Sequence, residues 1–171
     1  LGLQLGQQMS LENLLYAMLL PSANDAALTV AENYPGGEAA FVAKMNEKAK
    51  DLKLFGTHYL DASGLADRGD YTTPFDLSRL ASFASKNEVI KKIVSTKEKT
   101  IYDVTGTTVY ELSNLNKLLG VDGVTGIKTG YTEEAGQVLV TSKEEKGKTI
   151  IIVVMGSEDR FSDTQKLIDL V

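Results

Sequence analysis

The sequence predicts an α+β fold, with amphipathic helices first, an antiparallel sheet after them and a last helix closing the chain. Three observations point there. Up to about residue 86 the apolar residues recur at helical spacing; after Val89 they alternate in β-branched and aromatic runs; and from about Arg160 helical spacing returns.

Ser10 is a favoured N-cap for a helix whose Leu11, Leu14, Leu15, Met18 and Leu19 follow i, i+3, i+4, i+7, i+8 spacing. Pro21 ends that run, because the residue before a proline is pushed out of helical geometry. The Ala-rich stretch from Asn24 to Asn33 restarts a helix whose small side chains suit close packing inside the molecule. Tyr34-Pro35-Gly36-Gly37 breaks it. A third helix runs from about Glu38 to Leu52, with Phe41, Met45, Ala49 and Leu52 on one face. An irregular stretch from Gly56 to Thr73 holds the turn Asp61-Ala62-Ser63-Gly64-Leu65. Thr73, Pro74 and Asp76 then open a helix through about Ser85.

Beyond it, Thr100–Val104 and Thr107–Leu112 read as a hairpin around Gly106, and Val124–Thr129 as a strand. Val138–Ser142 and Lys148–Met155 form a second hairpin across the charged turn from Lys143 to Gly147, and the last helix spans about Arg160 to Val171. The whole, 1–171, reads as one domain with a helical part over about 10–86 and a sheet part over about 100–171.

Composition excludes several classes of function. The net charge of -5 argues against a nucleic-acid partner, which would need clustered Lys and Arg. With no cysteine there is no disulfide, zinc–thiolate site or thiol nucleophile, and His58, the sole histidine, allows no multi-histidine metal site and reads as a surface or turn residue. No apolar run approaches the ~20 residues that span a bilayer. Gly120, Gly123 and Gly126 lack the spacing of a phosphate-binding loop. No metal or other cofactor is expected. Lys91, Lys92, Lys97 and Lys99 read as a solvated face.

Two short motifs carry chemistry. Ser22-Ala23-Asn24 lies where one helix has ended and the next begins, a place from which a loop can aim a hydroxyl and an amide at a cleft. Either side chain would equally serve to cap the second helix. Lys128-Thr129-Gly130 comes at the end of an apolar strand. Its Lys supplies positive charge, its Thr a hydroxyl for a carboxylate, and its Gly backbone room for a substrate strand. A solvated lysine at a strand end is the plainer alternative.

In this order, Ser-X-Asn and Lys-Thr-Gly are two of the three signatures of penicillin-binding proteins and serine β-lactamases. The flanks are more specific. The run from Asn13 to Ala27, the stretch Thr72-Thr73-Pro74-Phe75-Asp76-Leu77, and Val121 to Thr132 followed by Ala135-Gly136 resemble the low-molecular-weight penicillin-binding proteins, serine-type D-alanyl-D-alanine carboxypeptidases, over essentially the whole chain.

The resemblance implies a β-lactamase/transpeptidase-like fold and a reaction in which a serine attacks the penultimate D-Ala of a peptidoglycan stem peptide. An acyl-enzyme forms and is hydrolysed, and β-lactams acylate the same serine. It assigns a catalytic role to three residues: Ser22 would relay a proton to the leaving amine, Asn24 would bind the substrate amide and the motif lysine, and Lys128 would assist the relay. Thr129 would contact the terminal carboxylate, with Gly130 leaving room for the substrate, and the backbone N–H of Tyr131 would be one oxyanion donor. Many relatives have His at the position of Tyr131, which leaves the backbone role intact. Arg160 is a candidate second carboxylate anchor, because a guanidinium fork matches a carboxylate. Asn114 and Asn116 match a family pattern and read as ties for loop backbone.

The nucleophile of the family sits in a Ser-X-X-Lys motif, and none of the eleven serines here has a lysine three places on. Relatives carry that motif farther ahead of Ser-X-Asn than the residues preceding Ser22 allow. The expectation is therefore an N-terminally truncated domain without the nucleophile helix and first strands, inactive alone. An upstream segment or a swapped copy would be needed to cover its core. The parent protein would act outside the cytoplasmic membrane, on the cell-wall side. A β-lactamase-like enzyme and a non-catalytic fragment that binds a peptide or partner are the alternatives.

Overall fold

The computed structural model describes residues 1–65 and 69–171. Six helices and five strands occur among them: α1 Leu11–Leu19, α2 Asn24–Glu32, α3 Gly37–Asp51, α4 Pro74–Ala84, α5 Glu88–Val94, β1 Glu98–Tyr102, β2 Val109–Ser113, β3 Val124–Thr132, β4 Gly136–Glu145, β5 Lys148–Ser157 and α6 Arg160–Ile168. They form two compact units, one of residues 1–72 with 97–114, the other of residues 73–96 with 115–171. The units thus interleave along the chain: the hairpin β1–β2 joins the first three helices, whereas α4 and α5 join the larger sheet.

In the first unit α1 begins where the sequence predicts, with the Ser10 hydroxyl accepting the Asn13 N–H at 3.2 Å. Leu14, Tyr16, Ala17 and Leu20 are buried, and so are Ala26, Ala27 and Ala31 of α2. The small side chains of α2 let it approach α1 closely, as expected from its composition. The amide of Asn13 donates to Tyr102 O at 2.9 Å and ties α1 to β1. Strands β1 and β2 are antiparallel and bury Ile101 and Leu112. They form the expected hairpin, with Gly106 in the connection, but each strand stops short of its expected inner end, since the Asp103 carboxylate gathers the N–H groups of Thr107 and Thr108 and hydroxyls of Thr105 and Thr107 into a loop that ends the ladder at Tyr102 and Val109. The irregular stretch after α3 is held by Asn46, which accepts from Tyr59 N at 3.0 Å and donates to Tyr59 O at 2.7 Å. His58 is half-buried and exchanges two backbone bonds with Tyr71.

In the second unit, Thr73 caps α4 by accepting the Asp76 N–H at 3.1 Å, with Pro74 at the first helical position. Helix α5 is an addition to the elements predicted from sequence; Asn87 caps it by accepting from Val89 N and Ile90 N. The sheet has the order β3-β4-β5, antiparallel throughout. Helix α6 packs on it through Ile168, which forms a core cluster with Val124 and Ile152. Buried Asn116 fastens the loop entering β3: its side chain donates to Gly126 O at 3.2 Å and accepts from Leu118 N at 3.1 Å. That matches its expected role as a tie for loop backbone.

Candidate active site

The two motifs fall in different units, and each is described in its own. Ser22-Ala23-Asn24 occupies the junction between α1 and α2. Ser22 is half-buried and held at φ 61°, a left-handed conformation that a non-glycine residue rarely adopts. The turn is fixed by Ala23 N–H donating to Ala17 O at 3.0 Å. The N-cap of α2 is Ala23, so neither Ser22 before it nor Asn24 after it holds the cap position. Asn24 occupies the first helical position, exposed. The backbone of residues 2 and 3 is fastened nearby, with Gly2 N–H and Leu3 N–H donating to the Asp25 carboxylate at 2.7 and 3.0 Å.

Lys128-Thr129-Gly130 belongs to β3. It lies in mid-strand, not at the strand end as the sequence suggests, because backbone pairing continues past the glycine: Gly130 stands opposite Val138, Tyr131 opposite Gln137 and Thr132 opposite Gly136. The glycine weakens the propensity signal, but Tyr131 and Thr132 beyond it are strand formers, and the ladder to β4 carries the strand past the glycine. As the first strand in the order β3-β4-β5, β3 has one side without a strand partner among the described residues. Thr129 is 6% exposed and Tyr131 64% exposed.

The structure brings Arg160 to this strand. As the first residue of α6 it donates from Nη1 to Gly130 O at 2.7 Å. Its Nε is buried with no hydrogen-bond partner among the described residues. Lys128 turns its ammonium to Thr129 O at 2.7 Å. Burial, and after it the charge of Arg160, lowers the pKa of Lys128 to about 8. Two cations thus share one stretch of strand, at a cost to folding that a bound anion would relieve. A cationic side chain at a helix start is electrostatically misplaced for stability, which makes the position of Arg160 more telling.

One residue of this arrangement escaped the sequence reading. The side chain of Gln137 on β4 accepts the Arg160 N–H at 3.4 Å and donates to Glu158 O at 2.6 Å. A single glutamine at the start of a strand gives no sequence pattern to find it by. No helix among the described residues is long and apolar enough to cross a membrane.

Comparison with known proteins places these motifs in context. A family model described as D-alanyl-D-alanine carboxypeptidase matches residues 1–159. A D-alanyl-D-alanine carboxypeptidase of Streptomyces sp. strain K15 is 36% identical, over 96% of this chain and 61% of its own length. A crystal structure of the Streptomyces K15 DD-transpeptidase superposes with a TM-score of 0.92 at 35% identity, covering 98% of this chain and 70% of that one. Penicillin-binding protein D2 of Listeria monocytogenes in its ampicillin-bound form gives a TM-score of 0.82 at 34% identity, over 94% of this chain and 66% of its own. The chain therefore spans about three fifths of the length of the Streptomyces relative.

Proposed function

The chain belongs to the D-alanyl-D-alanine carboxypeptidase family, and we propose that it is the larger part of a penicillin-binding domain that removes the terminal D-Ala from peptidoglycan stem peptides. The observation that supports this most is the pairing of Lys128 with Arg160 on the strand that holds Thr129 and Gly130. Two cations beside a buried threonine make a receptor for a small carboxylate, the group in which a stem peptide ends. The unpaired side of β3 suits an extended peptide laid against it, with main-chain bonds giving affinity and flanking side chains giving selectivity.

Each remaining residue takes the role that family membership suggests. The nucleophile comes from a Ser-X-X-Lys segment upstream of Leu1, consistent with eleven serines that all lack the lysine three places on. Its Oγ gives its proton to the motif lysine and bonds to the penultimate carbonyl carbon; the oxyanion that forms is met by the Tyr131 N–H and by the N–H of the serine itself, and it collapses with cleavage of the bond to the terminal D-Ala nitrogen. Ser22 passes a proton to the departing D-Ala amine, Asn24 holds the substrate amide, and Lys128 supports that relay. Water then releases the shortened peptide and frees the serine. Ser22 also holds a strained backbone, which fits a residue placed by function more than by packing. Substrate and β-lactam alike are met on the cell-wall side of the cytoplasmic membrane, and the upstream segment completes the domain by covering β5 and α1.

Labelling with a fluorescent penicillin tests the reading. The protein bearing its upstream segment should be captured covalently and should release D-Ala from a peptide ending in D-Ala-D-Ala. Residues 1–171 alone should do neither. Capture of the isolated chain, or none by the complete protein, would overturn the proposal; rapid release of opened penicillin would move it to a β-lactamase.

A further inference from the structure

We propose that Gln137 is a positioning residue for the carboxylate anchor: its amide clamps the turn between β5 and α6 and so sets where the guanidinium of Arg160 stands on β3. The inference rests on the anchor role given to Arg160 above.

Arg160 needs such a device. Its backbone N–H is one of the orphan donors at a helix start, and its charge is unwelcome there. Asp159, the N-cap, spends its carboxylate on Ser162 N at 3.1 Å and leaves the Arg160 N–H to another acceptor. Gln137 Oε1 supplies it at 3.4 Å, while Gln137 Nε2 donates to Glu158 O at 2.6 Å. One side chain therefore grips the turn on both sides of the cap residue. The grip is possible because the start of β4 and the end of β5 run unusually close. A Cβ on Gly136 would lie 3.2 Å from the Cα of Gly156, nearer than a side chain comfortably allows.

The geometry of the strands carries the effect to the site. Gln137 stands opposite Tyr131 in the β3–β4 ladder, and the neighbouring pair is Gly130 with Val138. The guanidinium bond to Gly130 O and the amide grip on the Arg160 backbone thus hold one residue from two adjacent rungs. Ser157 braces the same turn, its hydroxyl donating to Asp163 at 2.7 Å and accepting from Asp159 N at 3.0 Å, but neither bond reaches Arg160 itself. Of these two braces, the glutamine is the one that ties the backbone of the anchor to the sheet.

The test is a double-mutant cycle in the complete protein. Gln137→Met keeps the length of the side chain and removes both bonds. It should raise KM for a D-Ala-D-Ala peptide roughly three- to tenfold, the effect of one to two lost hydrogen bonds, with kcat nearly unchanged. Gln137→Glu, which keeps the acceptor for Arg160 N–H, should recover most of the loss. The same Gln137→Met change made on top of Arg160→Gln should have no further effect on KM, because the residue acts through the anchor. Additive losses in the double variant would overturn the positioning role, as would a fall in kcat with KM unchanged. If Arg160→Gln alone leaves KM untouched, the anchor reading fails first and the positioning role with it, an outcome distinct from additivity. Should Gln137→Met prove unstable, Gln137→Ala takes its place in the same cycle, and a KM equal to that of the unsubstituted protein would overturn the positioning role.

Discussion

Replacing Lys128 by Met separates the cost of this lysine from its use. Burial, followed by the charge of Arg160, brings its pKa from 10.5 down to about 8. Each tenfold loss of proton affinity corresponds to about 1.4 kcal/mol, so the charged form costs the folded state about 3 kcal/mol near neutral pH. Because the folded pKa lies below the unfolded one, the unfolded chain holds the extra proton between pH 8 and 10.5, and stability rises with pH across that window. Below about pH 8 the cost is fully present; above 10.5 it is gone. Lys128→Met has no such proton to lose. The difference in unfolding free energy between the two proteins should therefore change by up to about 3 kcal/mol from about pH 7 to about pH 11, in favour of the lysine at the alkaline end. Part of the gain from Met near neutral pH is offset by the lost bond to Thr129 O, worth about 1.5–3 kcal/mol for a charged donor. The pH-dependent difference survives that offset, and other titrating groups cancel from it. Urea unfolding followed by circular dichroism at stepped pH gives the comparison directly. Parallel stability curves over that range would refute the reasoning, since they would mean that Lys128 titrates alike in folded and unfolded chains. Penicillin capture lost at neutral pH, with stability equal or higher, would identify the lysine as kept for function at the expense of stability.

Other outcomes follow from single contacts. Arg160→Gln should move the Lys128 titration upward from about 8, read as the shift of its labelled ε-carbon in a carbon NMR titration; an unmoved midpoint would show that burial alone sets it. Gly126→Ala would place a Cβ 2.9 Å from Val94 Cγ2 and 3.3 Å from Ser142 Oγ, and should cost about 1–3 kcal/mol in denaturant unfolding. In a Val94→Ala background the added methyl should cost less than it does alone; strictly additive losses would show that the clash is not with Val94. Thr73→Ala should cost about 1 kcal/mol through the lost cap of α4, with penicillin capture intact.

Much of the fold was legible because the chain's local signals and its packing agree. Ser10 and Thr73 cap the helices they were expected to cap, the alanines of α2 are buried, and the strands lie where β-branched residues alternate. The misses have physical reasons. Helix α5 is seven residues long with lysines at its centre, and it buries only Ile93 and Val94, too little periodicity to register beside the cap signal of Asn87. β3 runs past Gly130 because its partner strand decides its length. The grouping of α4 and α5 with the sheet depends on contacts far apart in sequence, such as Val94 against Gly126, which no local pattern encodes.

The site shows the same division between what neighbours in sequence can say and what they cannot. Lys128, Thr129 and Gly130 announce themselves as a tripeptide, and Ser22 and Asn24 as a spaced pair, because each set must sit on one short piece of backbone. Arg160 is suggested by its chemistry alone, as a fork able to hold a carboxylate, and only the fold brings its Nη1 to Gly130 O. Gln137 had no signal at all, since an amide that braces another residue's backbone is chosen for reach and direction, which depend on the register of β4 against β3 and on the close pass of Gly136 and Gly156. Residues that touch substrate tend to be constrained in kind, whereas those that aim them are constrained in place. That is why the proposed anchor is legible in the sequence and its proposed clamp only in the fold.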